Sequence, residues 1–214
     1  MGNDARKKFI ETATPLFAAK GYHGVSIREL AQAAGANSAL ISYYFGGKEG
    51  LYAAVLENLF MPVQELLQSA QSRDSADSLQ TLHMYTQAVA TIHTKFPYLS
   101  KFIHRELVDP TQFLETVVKK YIKQIQNILH NTIGHSLAAG CFRREIEPSY
   151  AVVALAGMMN FYFLVKPLIE DFVPDTQAKN NDYVNQAIDI YLNGIIQRDN
   201  EDKEDKEDKE DKNE

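Results

Sequence analysis

Residues 26–52, SIRELAQAAGANSALISYYFGGKEGLY, constrain what this chain can fold into more than any other stretch. They read as two short helices joined by a glycine turn, followed by the start of a third. Ser26 with Glu29 three residues on makes a Ser-x-x-Glu capping box, a helix start. Ile27, Leu30, Ala31 and Ala34 then recur at i, i+3, i+4 and i+7, the spacing of one apolar helical stripe. Gly35 supplies the left-handed residue that ends this helix, and Asn37 or Ser38 is suited to cap the next. The second helix keeps Ile41 and Phe45 for packing and turns Asn37, Ser38, Ser42 and Tyr43 outward. Two helices in this arrangement allow the second to lie in the major groove of DNA. Small polar groups and a tyrosine suit contact with phosphates and base edges.

Phe17, Gly21, Tyr22, Ser26, Ile27, Leu30, Ala31, Ala34, Gly35, Ile41, Tyr44, Phe45, Lys48, Glu49 and Leu51 together carry a wider likeness. Over about residues 5–60 the chain resembles the TetR family of bacterial one-component transcription regulators. Leu40 to Glu49 looks like that family's recognition helix and its exit into a fourth helix. A helix-turn-helix alone is a weak signal; Tyr-Phe-x-x-Lys-Glu at this spacing is a strong one. Ser42 departs from the pattern, standing where the family most often carries an aromatic that touches phosphate. Pro15 lies inside the first helical pattern, where it deletes one helix hydrogen bond and favours a kink. The resemblance implies DNA-contacting roles for Ser26, Arg28, Asn37, Ser38, Ala39, Ser42, Tyr43, Tyr44 and Lys48. Gly46-Gly47-Lys48-Glu49 lacks the strand and first glycine of a nucleotide loop. It fits a helix start, where Lys48 or the free amides can hold a DNA phosphate.

A net charge of −6 is unexpected for a DNA binder until it is located. Residues 199–214 hold ten acidic residues and four lysines, so the remainder of the chain is neutral. Residues 1–60 carry six basic side chains against five acidic ones, so phosphate binding needs them concentrated locally. Arg6-Lys7-Lys8 is such a cluster. The tail contains four copies of Glu-Asp-Lys over 201–212 and no apolar residue. It is expected to be solvated, a solubilising segment or a mimic of DNA charge.

Between these ends the pattern is helical throughout, with no alternating strand pattern. Helices are expected over 48–71, with a kink at Pro62; from a cap at Ser75 or Asp77 to about Lys95; and over Tyr98 to Leu107. Further helices are expected from a cap at Thr111 to about Ala139, from Pro148 to about Asp171, and from Asn181 or Asp182 to about Arg198. Residues 174–181 read as a polar loop. The fold class is therefore all-α. A helix-turn-helix domain of three helices spans 1–47, a larger helical ligand-binding and dimerisation domain 48–198, and a charged tail 199–214. The apolar run Ala151–Val165 holds 15 residues, too short for a membrane span, and reads as a buried helix. The lone Cys141 and the polar N-terminus point to a reducing compartment, the cytoplasm, with no membrane partner.

In the last two helices Ala154, Gly157, Met158, Phe161, Ile188 and Leu192 are the expected dimer contacts, forming a four-helix bundle between two subunits. The middle helices are expected to enclose a pocket for a small-molecule effector of unknown identity. Phe102, Arg105, Tyr121, Ile125, Met159 and Tyr162 are its candidates, with Met84, His93 and Phe163 beside them. Arg105 can meet an anionic ligand or pair with Glu106, Asp109 or Glu115. The six histidines form no His-x-x-x-His or His-Glu-x-x-His array, and Cys141 has no second cysteine. Neither a metal, a cofactor nor a catalytic set is expected. The reading is a homodimeric repressor released from a double-stranded DNA operator by its effector. The alternatives are a helical enzyme or carrier that retains a helix-turn-helix, and an adaptor that binds protein through the acidic tail.

Overall fold

A computed structural model describes residues 2–71, 78–173 and 176–197. Nine α-helices run through the described residues: α1 Gly2–Lys20, α2 Ile27–Ala34, α3 Ala39–Phe45, α4 Lys48–Gln71, α5 Ser78–Lys95, α6 Pro97–Val108, α7 Lys119–Ala138, α8 Pro148–Ile169 and α9 Gln177–Ile195. The tail, the expected caps Ser75 and Asp77, and Arg198 lie outside the described residues.

Local chemistry explains the boundaries. At α2, Ser26 Oγ accepts from the Glu29 N–H (3.1 Å) while Glu29 Oε2 accepts from the Ser26 N–H (3.3 Å), completing the capping box. Gly35, at φ 60°, closes α2 by donating to the carbonyls of Ala31 and Gln32. Asn37, not Ser38, caps α3: its Oδ1 accepts from the Ala39 N–H (2.9 Å), whereas Ser38 already has helical dihedrals. Pro15 and Pro62 are accommodated inside α1 and α4.

Several expectations need correcting. Ile27 is 39% exposed, so the buried stripe of α2 is Leu30, Ala31 and Ala34. The last helix begins at Gln177 inside the expected loop, because Thr176 Oγ1 accepts from the Lys179 N–H (3.2 Å). It ends at Ile195, where the chain turns extended and Ile196 bridges Phe142. A π-helical turn, Leu114–Val118, precedes α7. The apolar run lengthens into the 22 residues of α8, a helix apolar and long enough by composition to cross a membrane. It is not wholly buried: Ala151, Val152, Leu155, Met159, Tyr162 and Phe163 face the core, while Val153, Phe161, Leu164 and Leu168 are exposed.

The buried residues form two clusters. One joins α1 to α4 with Leu99 and Phe102 of α6 and with Phe113, Val117, Val118 and Tyr121. The other joins α5, the second half of α7, α8 and α9. Ile125 packs against both. Three phenols lock α8 to α9: Tyr191 donates to the Ala151 carbonyl (2.9 Å), Tyr183 to the Met158 carbonyl (2.6 Å), and Tyr162 to Asn180 Oδ1 (3.0 Å).

Candidate DNA-binding interface

α3 is short, and one buried anchor orients it. Ile41 is fully buried, and Phe45 meets Phe9 of α1 edge-on at 6.1 Å. With that face committed, Ser38, Ala39, Ser42 and Tyr43 stand in solvent, Tyr43 at 79% exposure. Asn37 is exposed as well, but its Oδ1 is used by the cap, which leaves its amide nitrogen to donate outward. Ser26 and Arg28 are exposed at the start of α2. Tyr44 is half-buried, with its ring 5.0 Å from that of Tyr43.

Lys48 is less free than its position at a helix start implies. Its Nζ lies 4.5 Å from the centroid of the Tyr22 ring, and partial burial pushes its pKa down. The ring holds the ammonium by cation–π attraction. Burial, then the charge of Glu49, raises the Tyr22 pKa, so this phenol stays protonated.

Two residues of the expected basic cluster Arg6-Lys7-Lys8 lie beside this face. Arg6 of α1 lies over the Phe45 ring at 5.3 Å, and Lys8 Nζ approaches within 3.8 Å of the Cβ position of Gly35 in the α2–α3 turn. The Arg6-Lys7-Lys8 cluster was the available signal; its packing partners were not. Lys7 and Lys20 are engaged by Glu11 and Glu29, so local positive charge rests on Arg6, Lys8, Arg28 and Lys48.

The expected effector contacts divide. Phe102 and Tyr121 belong to the first cluster, Tyr121 stacked on Phe60 at 4.4 Å. Met159 and Tyr162 belong to the second. Arg105 donates from Nη2 to the Ala19 carbonyl at the end of α1 (3.1 Å), which places it against the helix-turn-helix. A cleft of about 410 Å³ is lined by Gly140, Phe142, Arg144, Glu145 and Gln197, none of them among the six candidates. Of the expected dimer contacts, Ala154, Gly157 and Phe161 are exposed and Met158 is half-buried. Ile188 and Leu192 are buried within the chain's own core.

A polar relay links α5, α6 and α8. Asn160 Nδ2 donates to the Ala156 carbonyl (2.9 Å), which leaves its Oδ1 to accept from His93 Nε2–H (3.0 Å). His93 Nδ1 then accepts from the Ser100 hydroxyl (2.8 Å). The tautomer follows from this network. The imidazole stacks on Phe163 at 4.4 Å, and burial, reinforced by Lys166, pushes its pKa below 6.5. The neutral ring is the folded form, so this contribution is complete above the unfolded value of 6.5. It is lost as pH falls from there toward the lower folded value. Urea unfolding at several pH values is expected to show wild type losing more stability than His93→Gln over that window. Equal pH slopes would place the ring in water.

Residues 9–55 match the model of bacterial regulatory proteins, tetR family. A probable HTH-type transcriptional regulator of Bacillus subtilis strain 168, YttP, is 31% identical over 118 residues, 55% of this chain and 57% of that one. The chain thus spans little more than half of that relative. The HTH-type transcriptional repressor NicS of Pseudomonas putida is 24% identical over 198 residues, 89% of this chain and 92% of NicS. Among solved structures, a TetR transcriptional regulator from Chloroflexus aurantiacus superposes with TM-score 0.71 at 15% identity, covering 92% of this chain and 98% of its own. AibR, solved with isovaleryl coenzyme A and operator DNA, superposes at 0.70 with 19% identity, covering 87% and 97%. At these identities the superpositions show the shared all-helical fold.

Proposed function

We propose that the chain, whose residues 9–55 match the tetR family of bacterial regulatory proteins, is a member of that family and a homodimeric, effector-responsive repressor acting on operator DNA in the bacterial cytoplasm. The observation that carries this reading is the capped α2–turn–α3 unit. Its outer face of Ser38, Ala39, Ser42 and Tyr43 is solvent-exposed and flanked by Arg6 and Lys8. In this reading Asn37, Ser38 and Ala39 stand nearest the bases. Ser26, Arg28, Ser42, Tyr43, Tyr44 and Lys48 lie along the backbone, where such contacts position the protein and base contacts specify sequence. Residues 1–47 act as the reading head and 48–198 as the effector and dimer body. The dimer forms through the exposed apolar face of α8.

An effector bound among the middle helices changes the separation of the two heads through α4. It does so only to the extent that it binds one separation better than the other. Because AibR was solved with isovaleryl coenzyme A, acyl-coenzyme A thioesters are the first effectors to screen.

The test is selection of genomic fragments by the purified full-length chain, followed by footprinting. Two half-sites related by a two-fold axis and about one DNA turn apart are expected. Absence of any protected site would overturn the reading. On the recovered duplex, Lys48→Ala is expected to weaken all sequences about equally and to lower the salt slope by about one phosphate contact. An altered sequence preference with unchanged salt dependence would instead leave Lys48 with Tyr22 and off the phosphates.

A further inference from the structure

We propose that Glu106 is a positioning residue that fixes Tyr52 of α4, the ring on which Phe17 and Tyr22 of the reading head pack, with α6 as the element that carries it. The inference rests on the reading of α1 to α3 as a DNA-reading head. Glu106 is 0% exposed, deep in a cluster that is otherwise almost wholly apolar. Its carboxylate accepts from the Tyr52 hydroxyl of α4 (2.7 Å), the Thr111 N–H (3.0 Å) and the Thr111 hydroxyl (2.8 and 2.9 Å to its two oxygens). The preceding residue, Arg105, donates to the Ala19 carbonyl in the last turn of α1 (3.1 Å). A Cβ on Gly21, where φ is 73°, would strike that guanidinium. Consecutive residues of α6 therefore hold α4 and α1.

The chemistry favours a directional role. A buried charge costs several kcal/mol to desolvate, and a hydrophobe of similar volume often fills such a site at no loss of stability. Apolar contact between α4 and α6 would tolerate sliding, whereas a hydrogen bond weakens steeply once its angle is lost. The Tyr52 ring adds contacts to Phe17, Tyr22, Phe102 and Phe113, at centroid distances between 4.9 and 5.6 Å. Burial first, then Glu106, holds the Tyr52 pKa well above the usual phenol range, so its hydroxyl remains a donor. Thr111 stands three residues before the π-helical turn that leads into α7, and its hydroxyl also accepts from the Phe113 N–H (3.2 Å). Any displacement of α6 or of the entry to α7 must carry these ties with it or break them.

The test uses the full-length chain and the double variant Tyr52→Phe/Glu106→Leu. Removing Tyr52's hydroxyl and the carboxylate at once leaves no orphaned charge or phenol, and the part-buried Thr111 gives its N–H and hydroxyl to water instead. The melting temperature of the double variant is expected to stay close to that of wild type. Amide exchange across residues 22–41 is expected to rise about tenfold, the order set by losing one hydrogen bond to a charged group. Protection in α8 and α9 should be unchanged, and affinity for the duplex recovered by genomic selection should fall by about the same factor. Glu106→Gln keeps an acceptor oxygen for Tyr52 and should restore most of the protection. Wild-type exchange in the head of the double variant would overturn the proposal. If that variant does not fold, Tyr52→Phe alone decides, with unchanged head exchange again overturning it. Failure of wild type to bind any duplex would overturn the DNA reading and leave the exchange result standing.

Discussion

Gly157→Arg is expected to abolish the homodimer proposed above and to take tight operator binding with it. The face of α8 turned away from the core carries Tyr150, Val153, Gly157, Phe161, Leu164 and Leu168 at steps of three and four residues, with Ala154 beside Val153. Phe161 is 62% exposed and Leu168 84%. An apolar stripe of this length on a single helix marks an interaction surface. Its spacing is that of a helix packed against another helix. Ala154 and Gly157 sit at the middle of the stripe, where small residues permit two helices to approach closely. Gly157 is exposed and has open space at the Cβ position among the described residues, so a side chain can leave the helix there without a clash. In the dimer it would be a buried unpaired charge, costing on the order of 3–5 kcal/mol. That corresponds to roughly two to three orders of magnitude in dimer affinity. Sedimentation should show monomer, circular dichroism should show unchanged helix content, and affinity for a two-half-site duplex should collapse. A Gly157→Arg protein that stays dimeric would move the interface to another face.

The helix-turn-helix was legible because its determinants are local. A capping box, a glycine at the left-handed position and an apolar stripe need only neighbours in sequence, and Ser26, Glu29 and Gly35 take those roles in the structure. Where two local signals competed, tertiary packing decided. Asn37 and Ser38 are both good caps, and only Asn37 has the hydrogen-bond geometry. Ile27 fits the periodicity of α2 yet stays exposed, because the stripe meets α1 through Leu30, Ala31 and Ala34.

The C-terminal half was less legible for the same reason. Alanine, valine, leucine and phenylalanine occur all round α8, so periodicity does not distinguish the face that meets α9 from the face that stays exposed among the described residues. Ile188 and Leu192 illustrate the consequence: they share the spacing of an interface but are used inside. Thr176 caps α9 although Asn181 and Asp182 further on offer the same chemistry, and only the fold selects between them. Glu106 lay beyond local reading altogether. Its partner Tyr52 is 54 residues away, and only the tertiary fold makes a charge in an apolar helix a hydrogen-bond acceptor.

Ala39→Glu separates what the head needs for folding from what it needs for DNA. Ala39 is the first residue of α3, exposed, and its N–H is already held by Asn37. A carboxylate in the first turn of a helix interacts favourably with the macrodipole, worth about 0.3–1 kcal/mol. The variant is therefore expected to melt at or slightly above the wild-type temperature. Toward DNA the same charge has the opposite sign of effect. It would face phosphates that the protein must approach, and it would replace a small side chain beside the base edges. A mismatched base contact costs about 1–3 kcal/mol, and phosphate repulsion adds to that. Operator affinity should fall by on the order of a hundredfold or more. The loss should be larger at low salt, where repulsion is less screened. Duplex binding at two salt concentrations, together with a thermal melt, reads both effects in one preparation. Undiminished operator binding by a stably folded Ala39→Glu protein would take the N-terminus of α3 out of the groove.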